Sequence, residues 1–517
     1  MEKKEWDIRI KNGILLFVGT VIIYSQLMIN QLTNDYDGIW ENSFHNAGAW
    51  ELSLGRWFWQ YISRLRFGTS PDPYTTLITL ALMTVGLLLL FELFGIKNRA
   101  VILISGLIFI SNPAISFELS YRYMSPTFGV AFVLSILAVW CFEKLRNPYL
   151  SVLCGALCVA FSMGSYQAYI CCTTVTFLTV VLLKLSRNIK WKEILLFCAR
   201  SVSGILLGGV SYILIMKVYL KINGLAMSDY QGGSRYSILN SLRCLPVSIQ
   251  KIYQYFSLYF KGILYKINRM QGKHIFTVMF VLVLAFVIFT IVRLFRKNKV
   301  KAVLYGLLVL CYPMAALSVL FITTDAAFAL QMACGPALFI AVLLCLPSRE
   351  METEQRLLQK VERIFCKVFA VFMAAVLYGS IWQVIIDQNA MYEGRIASQN
   401  LVDMAVDKML QEDMLSSEYR YVFVGTPSSN TLYAIDANYV NANLYALFGA
   451  WYLDDNSAKS WRGVVRNLRG LNLDMVSGSE YVALSKSELV KGMPLFPEKG
   501  SIVLQDGIVY VKIGNAE

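Results

Sequence analysis

The sequence is poor in charge, in histidine and in nucleotide-binding motifs. Only 16% of its 517 residues are charged, while 56% are hydrophobic. This balance excludes a disordered chain and argues against a single water-soluble globular domain. The two histidines, His45 and His274, cannot supply a histidine-rich metal site. Neither a P-loop nor a G-x-G-x-x-G motif occurs, so the chain by itself lacks the parts of a primary ATP-driven transporter.

Cysteine is missing from the long C-terminal segment after Asp387, so no disulfide framework holds that segment together. Most of the 11 cysteines lie inside apolar runs, where a thiol behaves as a small hydrophobic group, and Cys244 is the clearest exception. Neither a C-x-x-C motif nor a zinc-type spacing of cysteine and histidine occurs. The cysteines therefore predict neither a disulfide scaffold nor a zinc site.

Long apolar runs, by contrast, fill most of the sequence. A helix that crosses a bilayer needs roughly 20 apolar residues, and about eleven runs come near that length. They predict an α-helical polytopic membrane protein with about eleven transmembrane helices. The runs cover residues 13–29, 74–95, 100–111, 126–142, 150–163, 169–185, 194–220, 275–292, 302–322, 328–346 and 366–386.

Basic residues are spread unevenly over the connections between these runs. Lys and Arg outnumber Asp and Glu by 47 to 34, a net charge of +13. In a soluble protein such an excess suggests a nucleic-acid partner, but here it concentrates at the start of the chain and in every second short connection. Basic connections lie on the cytoplasmic side of membrane proteins, so we expect membrane lipids and no nucleic acid as partners.

The same pattern predicts a multi-pass protein of the cell membrane with a cytoplasmic N-terminus. No small-residue cleavage site follows the first apolar run, so we interpret that run as a retained span rather than a signal peptide. An odd number of spans then puts the C-terminus outside. The loop 221–274 departs from the pattern because it should lie outside yet is basic; long loops follow the rule poorly.

Two outer loops carry amphipathic patterns. In the first outer loop, residues 31–73, aromatic residues alternate with polar ones at helical spacing, which predicts a helix lying flat on the membrane surface. The loop 221–274 contains an aromatic and basic stretch that predicts a second interfacial helix. Both loops belong to a transmembrane core that we place at residues 1–387.

The rest of the chain, residues 388–517, is too polar to span a membrane. It opens with a helical pattern to about Met414 and continues with strand-like runs at 419–424, 481–484 and 502–511. Asp506-Gly507 supplies a turn. These patterns predict a small extracytoplasmic α+β domain.

The first outer loop holds the densest group of reactive side chains. Asp35 and Asp37 follow the first span, and His45, Glu51 and Arg56 come after them. A carboxylate at the mouth of a membrane cavity can take the proton of an attacking hydroxyl, and arginine can bind a phosphate with two hydrogen bonds. On composition alone the better interpretation is that the acids are ordinary solvated residues and the arginine is a headgroup anchor. The D-x-D pattern of the two aspartates is weak evidence for a metal-dependent nucleotide-sugar enzyme, because nucleotide sugars are not expected outside the cell.

A second group follows the third apolar run. Glu118 and Arg122 are four residues apart, so on a helix they could form a surface ion pair. The alternative is that Arg122 and its neighbour Tyr123 face a pocket in which the arginine binds phosphate. The sequence leaves both interpretations open.

Further candidates lie at predicted outer ends of spans. Tyr166 and Gln167 could bind sugar hydroxyls, although tyrosines at this depth are often membrane-interface anchors. Asp325 follows the ninth run and could face a cavity, whereas Glu92 lies near the cytoplasmic end of its run and can reach the headgroups. The pattern Gly204-x-x-x-Gly208 predicts close helix packing.

Four segments, in this order, resemble the GtrII-like bacterial glucosyltransferases, which are membrane enzymes of the GT-C architecture. The segments are Asn34-Asp35-Tyr36-Asp37, Leu54-Gly55-Arg56-Trp57, Gly164-Ser165-Tyr166-Gln167-Ala168 and Met493-Pro494-Leu495-Phe496-Pro497-Glu498-Lys499-Gly500-Ser501. The similarity covers most of the chain, and its weight comes from the order and topology of short motifs.

The resemblance implies a hexosyltransferase that moves a sugar, glucose in this family, from a polyprenyl-phosphate carrier to a surface polysaccharide outside the cytoplasmic membrane. It points to Asp35 or Asp37 as the base or acceptor-binding residue. Arg56, Arg122 and Arg235 would neutralise the donor phosphate, with Trp57 beside the first of them. The competing interpretations are a flippase or transporter for lipid-linked sugars and a non-catalytic scaffold for envelope assembly. No cofactor is certain, and the sequence leaves open whether a divalent metal assists.

Overall fold

The computed structural model describes residues 2–34, 45–230, 241, 243–268, 274–322, 327–347, 356–425, 442–443 and 455–515. Helices form most of this part of the chain. They are α1 (Glu2–Ile23), α2 (Ser25–Ile29), α3 (Ala49–Ser53), α4 (Trp59–Leu65), α5 (Tyr74–Phe94), α6 (Arg99–Ile110), α7 (Pro113–Ser120), α8 (Ser125–Lys144), α9 (Pro148–Ser165), α10 (Ile170–Ser186), α11 (Trp191–Ile222), α12 (Leu245–Phe260), α13 (Ile275–Lys297), α14 (Lys299–Leu310), α15 (Tyr312–Ala316), α16 (Cys334–Leu343), α17 (Arg356–Gln411), α18 (Asp455–Gly463), α19 (Gly478–Ser485) and α20 (Glu488–Gly492).

Within the described ranges, seven helices are long and apolar enough to cross a membrane. A bent pair, α6 and α7, meets the same test if its two helices, which diverge by 55°, count as one span. The helical membrane character is thus supported, but the expected count of about eleven is not confirmed. The seven helices are α5, α8, α9, α10 with the 3-10 turn before it, α11, α13 and α17.

The remaining apolar runs fall short for separate physical reasons. The helix α1 carries Asp7, Arg9 and Lys11 within its first half. The run 302–322 divides into α14, α15 and a 3-10 turn, Ser318–Phe321, because Pro313 has no N–H with which to continue α14. The run 328–346 yields a 3-10 turn and the ten-residue helix α16.

Small residues bring α9 and α11 close together beside α8. A side-chain carbon at Gly208 would lie 2.7 Å from the carbonyl oxygen of Ala156. The ring of Phe142, on α8, fills the space left by Gly155 and Gly204. The predicted packing role of Gly204 and Gly208 is therefore confirmed.

The first outer loop differs from the single surface helix that its spacing predicts. Its helical residues form two short helices, α3 and α4, separated by a turn in which Gly55 has a φ of +79°. That conformation is strained for any other residue, and it ends the helical path. Trp57 and Trp59 are 3% and 1% exposed, so they pack inside the protein instead of facing lipid.

The C-terminal part is built on a four-stranded sheet in the order β2-β1-β4-β3. The strand β1 is parallel to both of its neighbours, and β3 and β4 form a hairpin whose turn is Asp506-Gly507. The predicted strands at 419–424 and 502–511 are therefore confirmed. The strands are β1 (Arg420–Val424), β2 (Asp474–Met475), β3 (Ile502–Gln505) and β4 (Ile508–Lys512).

The predicted strand at 481–484 is wrong, because these residues lie in α19. Their tertiary contacts explain the difference. Tyr481 is 1% exposed, and its hydroxyl donates to the carbonyl oxygen of Phe423 in β1. A helix lying on the sheet buries this ring, and such packing overrides a local preference for strand.

The long helix α17 joins the core to the sheet and contacts the first apolar segment on the way. It runs unbroken for 56 residues past the expected domain boundary at residue 387. Gln388 accepts from the backbone N–H of Leu27 and donates to the carbonyl oxygen of Ile23, both at 2.9 Å. Arg395 donates to the carbonyl oxygens of Asn30 and Gln31. These bonds fix the point at which the first outer loop begins.

Candidate functional site

A cleft of about 70 Å³ lies where the first outer loop meets the turn between α7 and α8. Its polar groups come from Glu51, Arg56 and Gln331, and the hydroxyl of Tyr121 donates to Gln331 Oε1 at 3.2 Å. Aromatic rings of this kind can pack on a sugar ring, while the polar groups can bind its hydroxyls and a phosphate. The aromatic lining residues are Trp50, Trp59, Tyr121, Tyr123, Phe128 and Tyr230.

Two of the four resemblance segments, 54–57 and 164–168, meet beside this cleft. The N–H of Phe58 donates to the carbonyl oxygen of Gly164 at 2.9 Å. The indole of Trp57 occupies the space that a side chain at Gly164 would fill, and it stacks on Tyr219 with 5.9 Å between ring centroids. Trp57 is thus a packing residue between α9 and α11 and does not line the cleft.

Gln167 holds the turn that precedes Arg56. Its Nε2 donates to the carbonyl oxygen of Leu54 at 2.6 Å and lies 3.0 Å from the hydroxyl of Tyr212. A side-chain carbon at Gly55 would lie 2.5 Å from that hydroxyl, so only glycine fits the turn. Gln167 therefore fixes the backbone that carries Arg56.

The guanidinium of Arg56 lies over the ring of Tyr166, 4.8 Å from its centroid, and 5.9 Å from that of Trp59. This is a cation–π arrangement, which orients a cation without neutralising it. Its Nε is buried and has no hydrogen-bond partner, and no carboxylate of the described residues forms an ion pair with it. Arg56 can therefore bind an anion in the cleft.

Glu51 is a cleft residue that sequence reasoning noticed but did not select. It is 4% exposed; its Oε2 accepts from the N–H of Gly48 at 2.6 Å, and its Oε1 lies 3.3 Å from His45 Nε2. Burial by itself raises the pKa of Glu51, but the bonds from His45 and Gly48 outweigh it and hold the pKa below its usual value. The ring of His45 in turn packs on Tyr123, with centroids 4.2 Å apart. The sequence signal that could have selected Glu51 is its place at the third position of a helix, where a carboxylate caps the N-terminus.

Arg122 and Glu118 do not pair, because α7 ends at Ser120 and their helical spacing is lost. Glu118 is fully buried and accepts from the hydroxyl of Tyr169 at 2.5 Å. Arg122 donates to the carbonyl oxygen of Gln31 at 2.6 Å, and its Nε lies 3.7 Å from Asp72 Oδ2. Both residues therefore brace the wall of the cleft.

Burial shifts the pKa values of Arg122 and Asp72 in opposite directions. It lowers the pKa of Arg122, which Asp72 partly restores, and it raises the pKa of Asp72, which Arg122 and Thr76 partly lower. Asp72 also accepts from the N–H and the hydroxyl of Thr76. This pair ties the start of α5 to the turn before α8.

The chain enters and leaves the aspartate segment at this same wall. Asn34 donates from its backbone and its side-chain amide to Ser120, at 3.1 and 3.0 Å, and the chain returns at His45 beside Tyr123. Tyr230, which lines the cleft, is the last described residue before the segment that holds Arg235. Four candidates lie outside the described residues: Asp35, Asp37, Arg235 and Asp325.

Among the described residues, no three His, Cys, Asp or Glu side chains stand close enough together to hold a metal ion. Glu51 and His45 stand together in the cleft wall without a third member of this kind.

Comparison with known families connects this geometry to a function. A family model described as glucosyl transferase GtrII matches residues 30–347, about three fifths of the chain. The match begins just before the first outer loop and ends after α16, so it includes the whole cleft and leaves out α17 and the sheet. A comparison with curated proteins found no significant match.

Proposed function

The chain belongs to the GtrII glucosyltransferase family, and from this premise we propose that it transfers glucose from a polyprenyl-phosphate carrier to a cell-surface polysaccharide outside the cytoplasmic membrane. Glucosyl transfer needs a sugar donor and an acceptor. A carrier with an isoprenoid tail suits a protein made largely of membrane helices, and the described cleft offers groups for the phosphate and for the sugar.

The observation that carries the proposal is the position of Arg56. Its guanidinium lies in an aromatic cleft, is oriented by Tyr166, and has no ion-pair partner among the described side chains. A phosphate bound there gains a charge-assisted hydrogen bond in a site partly screened from water. Arg122 is already bonded to Gln31 and paired with Asp72, so we assign phosphate binding to Arg56 and support of the cleft to Arg122.

In the proposed reaction, a hydroxyl oxygen of the acceptor attacks the anomeric carbon of glucose. The bond between that carbon and the phosphate oxygen breaks, and polyprenyl phosphate leaves with the electron pair. Asp35 or Asp37 takes the proton of the attacking hydroxyl as general base. Arg56 stabilises the negative charge that grows on the leaving phosphate.

The sugar would lie between the aromatic walls of the cleft. Two aromatic pairs form part of these walls: the rings of Trp50 and Tyr230 pack edge to face with centroids 5.9 Å apart, and those of Trp59 and Tyr123 stack with centroids 5.8 Å apart. The amide of Gln331 supplies a hydrogen-bonding group for the sugar hydroxyls.

We also propose a cytoplasmic N-terminus, an extracytoplasmic first outer loop and an extracytoplasmic C-terminal domain, in a GT-C-like arrangement. The basic connections after α5, α8, α10 and α13 support this orientation. The cleft lies at the opposite end of α8, where Met124 and Phe128 line it, and this is the side on which an external polysaccharide would be reached.

The test is glucosyl transfer by the purified protein in proteoliposomes that contain polyprenyl-phosphate glucose and an acceptor polysaccharide. Arg56→Ala should reduce transfer to a small residual rate, while Arg64→Ala, on the exposed face of α4, should leave transfer unchanged. The double variant Asp35→Asn/Asp37→Asn should be inactive as well.

Two outcomes would contradict the proposal. Full activity in the double aspartate variant removes those residues from the mechanism. Movement of the labelled lipid-linked sugar across the bilayer, without a new glycosidic bond, identifies a flippase instead.

A further inference from the structure

The chain leaves the first apolar segment through a tight turn at the end of α2. The N–H of Gln31 donates back to the carbonyl oxygen of Met28 at 3.3 Å. The next N–H, that of Leu32, donates to the carbonyl oxygen of Leu27 at 2.9 Å. These are the two bonds of a Schellman turn, in which the residue after the helix cap adopts the left-handed conformation. Gln31 is that residue, with a φ of +49°.

This turn presents two carbonyl oxygens to arginine side chains from distant parts of the chain. Arg395, on α17, donates from Nη1 to the carbonyl oxygens of Asn30 and Gln31, at 2.7 and 3.0 Å. Arg122, from the turn between α7 and α8, donates from Nη2 to the same oxygen of Gln31 at 2.6 Å. Carbonyl groups at the end of a helix lack partners within the helix, so the two arginines supply the missing donors.

The two arginines connect α17 to the wall of the cleft through a single oxygen atom. Their guanidinium groups carry like charges and share one acceptor, so each repels the other. Asp72 faces Arg122 at 3.7 Å, whereas Arg395 forms no ion pair among the residues that the structure describes. The hydrogen bonds to the turn have to outweigh this repulsion, so the position of Gln31 depends on both arginines.

The turn lies just before the residues to which we assign the general base. Thr33 and Asn34 bond to Ser120 at the end of α7, and Asp35 is the next residue of the chain. A displacement of about 1 Å at a reacting group can lower a rate about 100-fold, even when the substituted residue is remote from the chemistry. Whatever fixes Gln31 therefore fixes the point from which the first outer loop starts.

We propose that Arg395 is a positioning residue for glucosyl transfer and acts, with Arg122, on the carbonyl oxygen of Gln31. The inference rests on the proposed function. Arg395 lies outside residues 30–347, which the family model matches, so α17 gives the site a support that this match does not include. Arg56, which we assign to the donor phosphate, depends on separate hydrogen bonds made by Gln167. Loss of Arg395 should therefore slow transfer without weakening donor binding.

The test measures both glucosyl transfer and donor binding by the full-length protein in proteoliposomes. Arg395→Met removes the hydrogen-bond donors and should lower kcat about 10–100-fold. The Kd for polyprenyl-phosphate glucose and the number of donor molecules bound per chain should stay the same. Arg395→Lys keeps a cation that can donate, and it should recover part of the rate. Arg469→Met removes another arginine that contacts α17, through Asp403, and should transfer at the original rate.

Two variants of the turn test the inference without changing either arginine. Gln31→Val should slow transfer, because a β-branched residue disfavours the left-handed conformation, whereas Gln31→Gly adopts it without strain and should keep the original rate.

Four results would overturn the inference while the unaltered protein transfers glucose. They are an original rate in Arg395→Met, a loss of bound donor in that variant equal to its loss of transfer, an equally slow Arg469→Met, and a Gln31→Gly variant as slow as Gln31→Val. Absence of transfer by the unaltered protein would overturn the proposed function, and this inference with it.

Discussion

Replacing Gln167 with methionine should displace Arg56 from its position in the cleft although Arg56 itself is unchanged. Methionine has nearly the same length but cannot donate, so the bonds to Leu54 and Tyr212, at 2.6 and 3.0 Å, are lost. Each bond contributes about 0.5–1.5 kcal/mol, so the loss is about 1–3 kcal/mol. Every 1.4 kcal/mol of it that appears in the transition state lowers kcat/KM for the donor about tenfold.

A matched variant separates positioning from a general loss of stability. Asn147 also makes two side-chain bonds, accepting from the N–H groups of Tyr149 and Leu150 at 2.9 and 3.1 Å, but at the end of α9 remote from Gly164. Gln167→Met and Asn147→Ala should lower the midpoint of thermal unfolding by similar amounts. Only Gln167→Met should lower kcat/KM for polyprenyl-phosphate glucose in the proteoliposome assay.

A double-mutant cycle completes the test. In a background of Arg56→Ala, Gln167→Met should have no further effect on residual transfer, because the residue that it positions is already absent. If the two effects multiply, or if Asn147→Ala reduces transfer as much as Gln167→Met does, Gln167 does not act through Arg56 and the reasoning is refuted.

Three further changes have calculable outcomes. The pKa of Glu51 is lower in the folded protein than in the unfolded chain, where it is near 4.5. The ionised side chain therefore stabilises the fold above the unfolded pKa, and this stabilisation is lost as the pH falls through the folded value. Glu51→Gln should flatten that part of a plot of unfolding free energy against pH. Asp72→Asn should cost about 3 kcal/mol in chemical denaturation because it leaves Arg122 buried without a carboxylate, and Arg122→Met should recover part of that loss in the double variant. Gly164→Val places a carbon 2.5 Å from Trp57 and should lower stability by about 1–3 kcal/mol, with a loss of transfer; a variant as stable as the original protein would show that the ring can move aside.

The sequence identified the segments of the site better than the roles of their residues. Residues 54–57 and 164–168 stood out as short motifs, and the structure brings them together. Sequence alone does not show which atoms meet, so Gln167 was expected to bind sugar, whereas its amide is occupied by Leu54 and Tyr212. Trp57 likewise turned out to pack against Gly164.

Helical spacing allowed an ion pair, one of two open interpretations, that the structure does not form because the helix ends early. Glu118 and Arg122 are four residues apart, yet α7 stops at Ser120 and each finds a different partner. The expected count of spans is affected in the same way. Hydropathy shows that the run 302–322 is apolar, but it does not show that Pro313 interrupts the helical hydrogen bonds. Where a helix ends depends on its backbone geometry, which the hydropathy of a sequence window does not report.

Gln388 and Arg395, which anchor α17 to the first apolar segment, fix the rotation of α17 about its own axis. They therefore also fix the direction in which the sheet leaves the helix. Gln388 and Arg395 are seven residues apart, two turns of helix, and so project from the same face toward the first apolar segment. Inserting one residue between them would rotate the rest of the helix by about 100°. One anchor would then point away, and the sheet would swing around the helix axis relative to the membrane helices. Along this stretch, substitutions on the face of α17 that points away from the first apolar segment should be tolerated, whereas a change of length by one residue should not.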